Sequence, residues 1–225
     1  MEQFSRTEKV IRKEKVNLLK GTSVLVVGVG GVGGMCVEML ARSGIGNISL
    51  IDYDTFECSN LNRQILSTID NIGESKVAIA KKRINSINPN CNIKTYNYKI
   101  DVNFSGLEEK VDYIVDACDD IKAKIVLIKY ALNNDIKIIS CCGTGNRMEP
   151  QALKITNVWK TEYDPLAKKL RTELRKEKIN YKLPVVCSSE KPLIKTQGEI
   201  GSVAMVPNAA GILLASYVIN DVIER

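Results

Sequence analysis

The sequence predicts an α/β fold with a mostly parallel sheet and helices on both faces, and three features make the case. Val24 to Val27 is a short, β-branched apolar run of the kind a buried parallel strand needs. Gly28, Gly30 and Gly33 follow in G-x-G-x-x-G spacing, with Gly31 among them, and a helical pattern starts at once. A second strand, Asn47 to Ile51, then delivers Asp52 about 20 residues past the glycines.

Between these strands the helix shows Val37, Leu40 and Ala41 on one side and stops at Gly44, a residue suited to a left-handed cap. The unit is Rossmann-like: its glycines let a pyrophosphate approach the backbone at a helix N-terminus. The nucleotide is left open at this point. Asp52 suits the ribose of NAD in a dehydrogenase and the ribose of ATP equally, and a tight turn that binds nothing shares the same glycines.

Elsewhere the pattern supplies the remaining elements. Residues 7–20 read as a polar, basic helix running into Gly21, with Arg6 just before it. A helix from Ser75 to Ile87 aligns Val77, Ala80, Ile84 and Ile87, and puts Lys76 in its first turn, where the helix dipole disfavours a cation. That placement suggests a phosphate nearby; a solvated lysine is the plain alternative. Strands are expected at Cys91–Lys99 and Val111–Val115, then a helix to about Asn133 and a strand at Ile136–Ser140. The second of these strands ends at Asp116-Ala117-Cys118-Asp119-Asp120, so acids stand beyond two separate strands, where parallel sheets bind ligands. One of Asp119 and Asp120 can be only a helix N-cap.

Past Gly143 a smaller α/β part follows, with strands at Leu153–Val158 and Leu183–Cys187 around a basic helix from Pro165 to Lys178. Leu166, Leu170 and Leu174 form its packing stripe. Lys168, Arg171, Arg175 and Lys178 form a second stripe, which by itself reads as a solvated face able to meet a polyanion. Gly198 and Gly201 precede an apolar segment, Ser202 to Ile223, broken by Pro207, Asn208, Asn220 and Asp221 and expected to be a core helix.

Composition narrows the chemistry. With 225 residues, 44% apolar and 26% charged, the chain suits one substantial core, and +6 net charge is compatible with a polyanionic partner. No apolar leader follows Met1, and seven cysteines without regular spacing point to reduced thiols in the cytoplasm. There is no histidine and no C-x-x-C pair, which argues against a zinc site and excludes every His-dependent triad.

Taken together, GVGGVG at 28–33, Asp52-Tyr53-Asp54, SNLNRQ at 59–64, Lys76 and Asp119 resemble the adenylating domain of the ubiquitin-activating-like enzymes, the ThiF, MoeB and HesA type. The resemblance implies one ATP-binding domain over residues 1–225, an N-terminal helix at 1–20 and a family-specific insertion at 150–200. It implies that the glycine turn, Asp52 and Asp54 hold the nucleotide, with Asp52 on the ribose. Asn60, Arg63 and Lys76 fall on phosphate-binding positions, Asp119 on a Mg²⁺-bound nucleotide, and Arg6 on an arginine lent to the partner subunit of a homodimer.

Within that family Arg6-Thr7-Glu8, GTGNRMEP at 143–150, WKTEYDPLAKKLRTELRK at 159–176 and VVCSSEKP at 185–192 resemble a tRNA-modifying subgroup. Its members use ATP to cyclise a threonylcarbamoyl group on the adenosine beside the anticodon, which makes the stripe of Lys168, Arg171, Arg175 and Lys178 a candidate tRNA contact. A soluble enzyme without membrane association is implied, with a cysteine desulfurase as a possible sulfur-transfer partner. Such chemistry needs a carboxylate turned into an acyl adenylate and no covalent enzyme intermediate, so Cys187 is expected to be a buried strand cysteine. The alternative within the family is adenylation of the C-terminus of a ubiquitin-like sulfur carrier.

Overall fold

The computed structural model describes residues 3–194 and 200–224, which leaves Gly198 outside the described residues. Seven strands alternate with six α-helices: β1 (Ser23–Val27), β2 (Asn47–Ile51), β3 (Asn92–Tyr96), β4 (Tyr113–Asp116), β5 (Lys137–Cys141), β6 (Leu153–Asn157) and β7 (Pro184–Ser188). The helices are α1 (Ser5–Gly21), α2 (Gly31–Ser43), α3 (Lys76–Ile87), α4 (Ile121–Asn133), α5 (Pro165–Lys176) and α6 (Met205–Ile223). All strands join one sheet in the order β3-β2-β1-β4-β5-β7-β6, parallel except where β6 runs antiparallel to β7.

The sheet is apolar on both sides because both sides are covered. Val24 and Val26 of β1 face a core with residues of α2, α3 and α6, whereas Leu25 and Val27 face a second core with α4 and α5. Strand order reverses at β1, which pairs with β2 on one side and β4 on the other. The carboxyl ends of β1 and β4 therefore bound the crevice where such sheets bind ligands.

Most element boundaries shift from expectation by a few residues, as β4, β5, β7 and α6 do, and the shifts at the first helix, β3 and α5 are the informative ones. The first helix begins at Ser5 and is broken at Arg12, whose φ of 69° and ψ of 160° are not helical. The break follows packing: Val16 and Leu19 of the second piece are buried, while the first piece leads to Phe4, which lies against Gly44. The strand expected over Cys91–Lys99 shortens to β3, because only Asn92–Tyr96 has β2 as a partner. The basic helix ends at Lys176 rather than Lys178, which has a φ of 57°.

The apolar C-terminal segment is α6, long and apolar enough by length and composition to cross a membrane. Here Val206, Ala210, Leu214, Val218 and Val222 are buried in the core with α2.

A candidate nucleotide-binding cleft

Two glycines fix the entrance to α2. Gly28 has a φ of 88°, and a Cβ there would stand 2.8 Å from the Ala117 carbonyl oxygen. A Cβ on Gly33 would fall 1.7 Å from the Gly28 carbonyl oxygen, so only glycine lets α2 pack this close to the turn. A Cβ on Gly30, the N-cap of α2, would meet nothing nearer than the Gln64 amide at 3.7 Å, and this face opens to a cleft of about 570 Å³. The helix N-terminus thus presents its free N–H groups and positive dipole end to that space.

Strand β2 supplies the acidic wall. The Asp52 carboxylate accepts the Val29 N–H at 2.6 Å and the Asp54 N–H at 2.9 Å, tying β2 to the glycine turn. Burial pushes its pKa up, against the lowering effect of those N–H groups and of Lys76. Lys76, the first residue of α3, is buried and donates to Asp54 Oδ2 at 2.9 Å. Asp54 therefore offsets the unfavourable helix dipole, and the alternative of a solvated surface lysine is set aside.

A short 3-10 turn, Cys58–Asn60, leads to a second cation, Arg63. Asn60 is buried and its Oδ1 accepts the Glu57 N–H at 3.2 Å; Arg63 Nη1 donates to the Ser59 carbonyl at 2.8 Å and to Asn62 Oδ1 at 2.9 Å. Beyond β4 the acids part company. Asp120 is the N-cap of α4, accepting the Lys122 N–H at 2.8 Å, and pairs with Lys99 at 3.0 Å. Asp119 is exposed, lines the cleft and makes no hydrogen bond or ion pair among the described residues.

The structure thus brings Gly28, Gly30, Gly31, Asp52, Asp54, Asn60, Arg63, Lys76 and Asp119 to one cleft. Gly33 supports it from below. Arg6 is not in that lining: it is exposed on α1, close in sequence to Phe4, which packs at the C-terminal end of α2, about 20 Å of helix from the glycine turn.

Several residues went unread in the sequence. Gln64 is buried beside Gly30 in the cleft, and its Oε1 has no hydrogen-bond partner. Beneath the Asp119 loop, Asp116 and Lys124 form a fully buried ion pair of 2.9 Å. Ser140 donates to the same Asp116 oxygen, Cys118 donates to the other through its N–H at 3.3 Å and its thiol at 2.9 Å, and Lys124 also donates to the Cys141 carbonyl at 2.9 Å. Burial alone would push the Lys124 pKa down, but Asp116 outweighs it and holds it above the usual lysine value. The signal was present: Lys124 sits at helical spacing with Ile128 and Ala131, a charge on an apolar stripe.

The basic stripe on α5 does not survive as drawn. Ala167, Leu170 and Leu174 are buried, and Leu166 only half so. Arg171 turns inward, donating to the Val158 and Thr161 carbonyls at 3.4 and 3.1 Å and to the Thr161 hydroxyl, and Lys178 lies beyond the helix. Lys168 and Arg175 remain exposed, with Arg175 5.4 Å from the Trp159 ring centre. Cys187 is buried in β7 at 2% exposure. The Cys142 thiol that donates to it, with Arg147 and Arg171, lowers its pKa against the effect of burial.

The ThiF family profile matches residues 4–220. The chain belongs to the ThiF family. Among its relatives the tRNA threonylcarbamoyladenosine dehydratase of Bacillus subtilis is 37% identical over all of this chain and 96% of that protein. The crystal structure of the E. coli tRNA N6-threonylcarbamoyladenosine dehydratase in complex with ATP has a TM-score of 0.89 and 30% identity, covering 99% of this chain and 94% of that one. A probable molybdopterin-synthase adenylyltransferase of Porphyra purpurea is 38% identical, but over only 56% of this chain and 35% of its own length. The ThiF-family likeness to the dehydratases therefore extends through β6, α5 and β7, past the shared nucleotide-binding part.

Proposed function

We propose that this chain uses ATP to activate the carboxylate of threonylcarbamoyladenosine in tRNA, so that a nucleophile of the same modification closes a ring. In water a carboxylate is a poor electrophile. Its attack on the α-phosphate of ATP gives an acyl adenylate and pyrophosphate, and ring closure releases AMP. The observation that carries the reading is the convergence of a helix N-terminus, Arg63, Lys76 and the unpartnered Asp119 on one cleft. These groups suit a triphosphate that changes its charge distribution during reaction.

The donor set fits ATP. The glycine turn leaves room for phosphate at Gly30, and the buried Lys76 ammonium is held by Asp54 from one side only. Mg²⁺ would find a free carboxylate in Asp119 and would neutralise phosphate charge. Asp52 keeps the turn and β2 in register while its remaining lone pairs reach a ribose. Arg63 and Lys76 orient the phosphates for in-line displacement. Arg6, absent from its own chain's cleft, is assigned to the cleft of a second copy in a homodimer.

Mass spectrometry of tRNA nucleosides, with and without the protein and ATP, tests the reading: the cyclic product with stoichiometric AMP is expected. Unchanged threonylcarbamoyladenosine, together with pyrophosphate exchange that depends on a ubiquitin-like carrier, would move the chain to the sulfur-carrier branch. Mixing Arg6→Ala with Lys76→Ala chains should restore part of the activity if Arg6 acts across the dimer.

A further inference from the structure

Beyond the cleft, one aromatic side chain is held in a conformation that the fold itself does not use. Tyr163 has a φ of 53°, left-handed backbone that a bulky residue rarely adopts, yet the residue is 50% exposed. Its hydroxyl makes no hydrogen bond among the described residues. A glycine would take this backbone without strain, so burial and local geometry do not account for tyrosine here.

The Tyr163 carbonyl is held by Arg147, itself buried to 2% exposure. Its guanidinium donates to the Tyr163 carbonyl at 3.2 Å, the Glu190 carbonyl at 3.4 Å and the Gly143 carbonyl, and pairs with Asp164 at 3.1 Å. Asp164 also caps α5 through the Ala167 N–H at 2.8 Å. One side chain therefore ties three loops together, and Lys191, next to Glu190, is set with its ammonium 5.0 Å from the Tyr163 ring centre. The site adjoins the cleft: Gly143 packs near the Asp164 carboxylate, and Thr144 lines the cleft wall.

We propose that Tyr163 and Lys191 form a stacking platform for an unpaired base of the tRNA loop that carries the modified adenosine; this rests on the dehydratase reading above. Single-stranded RNA loops are recognised by bases stacked on aromatic faces, and an exposed ring with a cation above it is such a face. Recognition is of the base rather than the phosphates, because each member of the pair follows an acid in the chain, Glu162 before Tyr163 and Glu190 before Lys191. The nearby Trp159 does not serve: it is half-buried and its indole N–H is committed to the Tyr181 carbonyl at 2.9 Å.

The test is tRNA-dependent AMP formation by the full chain, with KM for tRNA and for ATP read separately. Tyr163→Ala should raise KM for tRNA about tenfold, the loss of one stacked base, and leave KM for ATP in place. Tyr163→Phe keeps the ring and should restore most of the affinity. Tyr163→Gly should match or exceed the parent in Tm yet lose tRNA affinity as Tyr163→Ala does. A wild-type KM for tRNA in Tyr163→Ala, or a Tyr163→Phe chain as impaired as Tyr163→Ala, would overturn the platform alone. AMP formation by the wild type that ignores tRNA would overturn the dehydratase reading and the platform together.

Discussion

Among the described residues two buried lysines each meet an aspartate at 2.9 Å, and they have opposite surroundings. Lys124 and Asp116 are both fully enclosed, and every oxygen of the carboxylate has a donor from β5, α4 or the Asp119 loop. Lys76 is enclosed to 7% exposure, but its Asp54 is 46% exposed and the space beside them is the cleft. Both ammonium groups have lost water. Only one has been left with room for a further anion, and that is what separates a strut from a binding group.

The largest effect expected from this contrast is on the closed pair. Lys124→Met leaves Asp116 charged and uncompensated, which should cost about 3–5 kcal/mol in chemical unfolding. Adding Asp116→Leu should recover much of that loss, since removing both partners is cheaper than removing one. If Lys124→Met unfolded like the parent, the strut would be wrongly drawn.

On the open pair the loss should appear in rate instead. Lys76→Ala should lower kcat for AMP formation about 10²–10³-fold, the scale of one electrostatic donor in a reaction site. Its Tm should stay within a few degrees of the parent. If Asp119 holds Mg²⁺ as proposed, Asp119→Asn should raise the metal concentration needed for activity with little change in stability, measured by titrating Mg²⁺ at fixed ATP.

A third acid lies between these extremes. Glu38 of α2 is buried and accepts from Arg83 at 2.9 Å through both Nε and Nη2 and from Arg42 Nε at 2.8 Å, joining α2 to α3. Burial pushes its pKa up, but the two arginines overcome that and hold it below the usual glutamate value. Its contribution is therefore present above the ordinary carboxylate pKa and fades as pH falls through the folded value. Glu38→Gln should cost about 2 kcal/mol at neutral pH, and the difference from the parent should shrink on acidification. The smallest effect belongs to the exposed surface. Lys168→Glu with Arg175→Glu should weaken tRNA binding only about threefold at physiological salt, since few phosphate contacts are lost. A large loss would restore α5 as an RNA-binding face.

Sequence reading succeeded where a residue's chemistry is local. The glycine turn and Asp52 could be placed because strand, helix and acid follow each other within one βαβ unit, and Lys76 because it opens the next helix. Asp119 and Asp120 could not be told apart, because which one caps α4 depends on a backbone geometry that their neighbours share. Arg171 looked like part of a charged face, and only the position of the Thr161 loop showed that it points inward. Arg147 gave no periodic signal at all: its partners lie in three loops that only the folded sheet brings together. Long-range polar contacts of that kind leave no local pattern to read.

One packing contact has a consequence for how the protein is made. A Cβ on Gly211 of α6 would fall 2.3 Å from the Val32 carbonyl, so the last helix seats backbone-close against the first turn of α2. The helix that offers its N-terminus to the cleft is thus braced by residues nearly 180 positions further along the chain. Such non-local pairing forms late, because the loop between the two must close first. During synthesis the glycine turn emerges early, but α2 lacks its covering until α6 has left the ribosome. A nascent chain halted before Met205 should bind no ATP, and its exposed apolar α2 surface should draw chaperones.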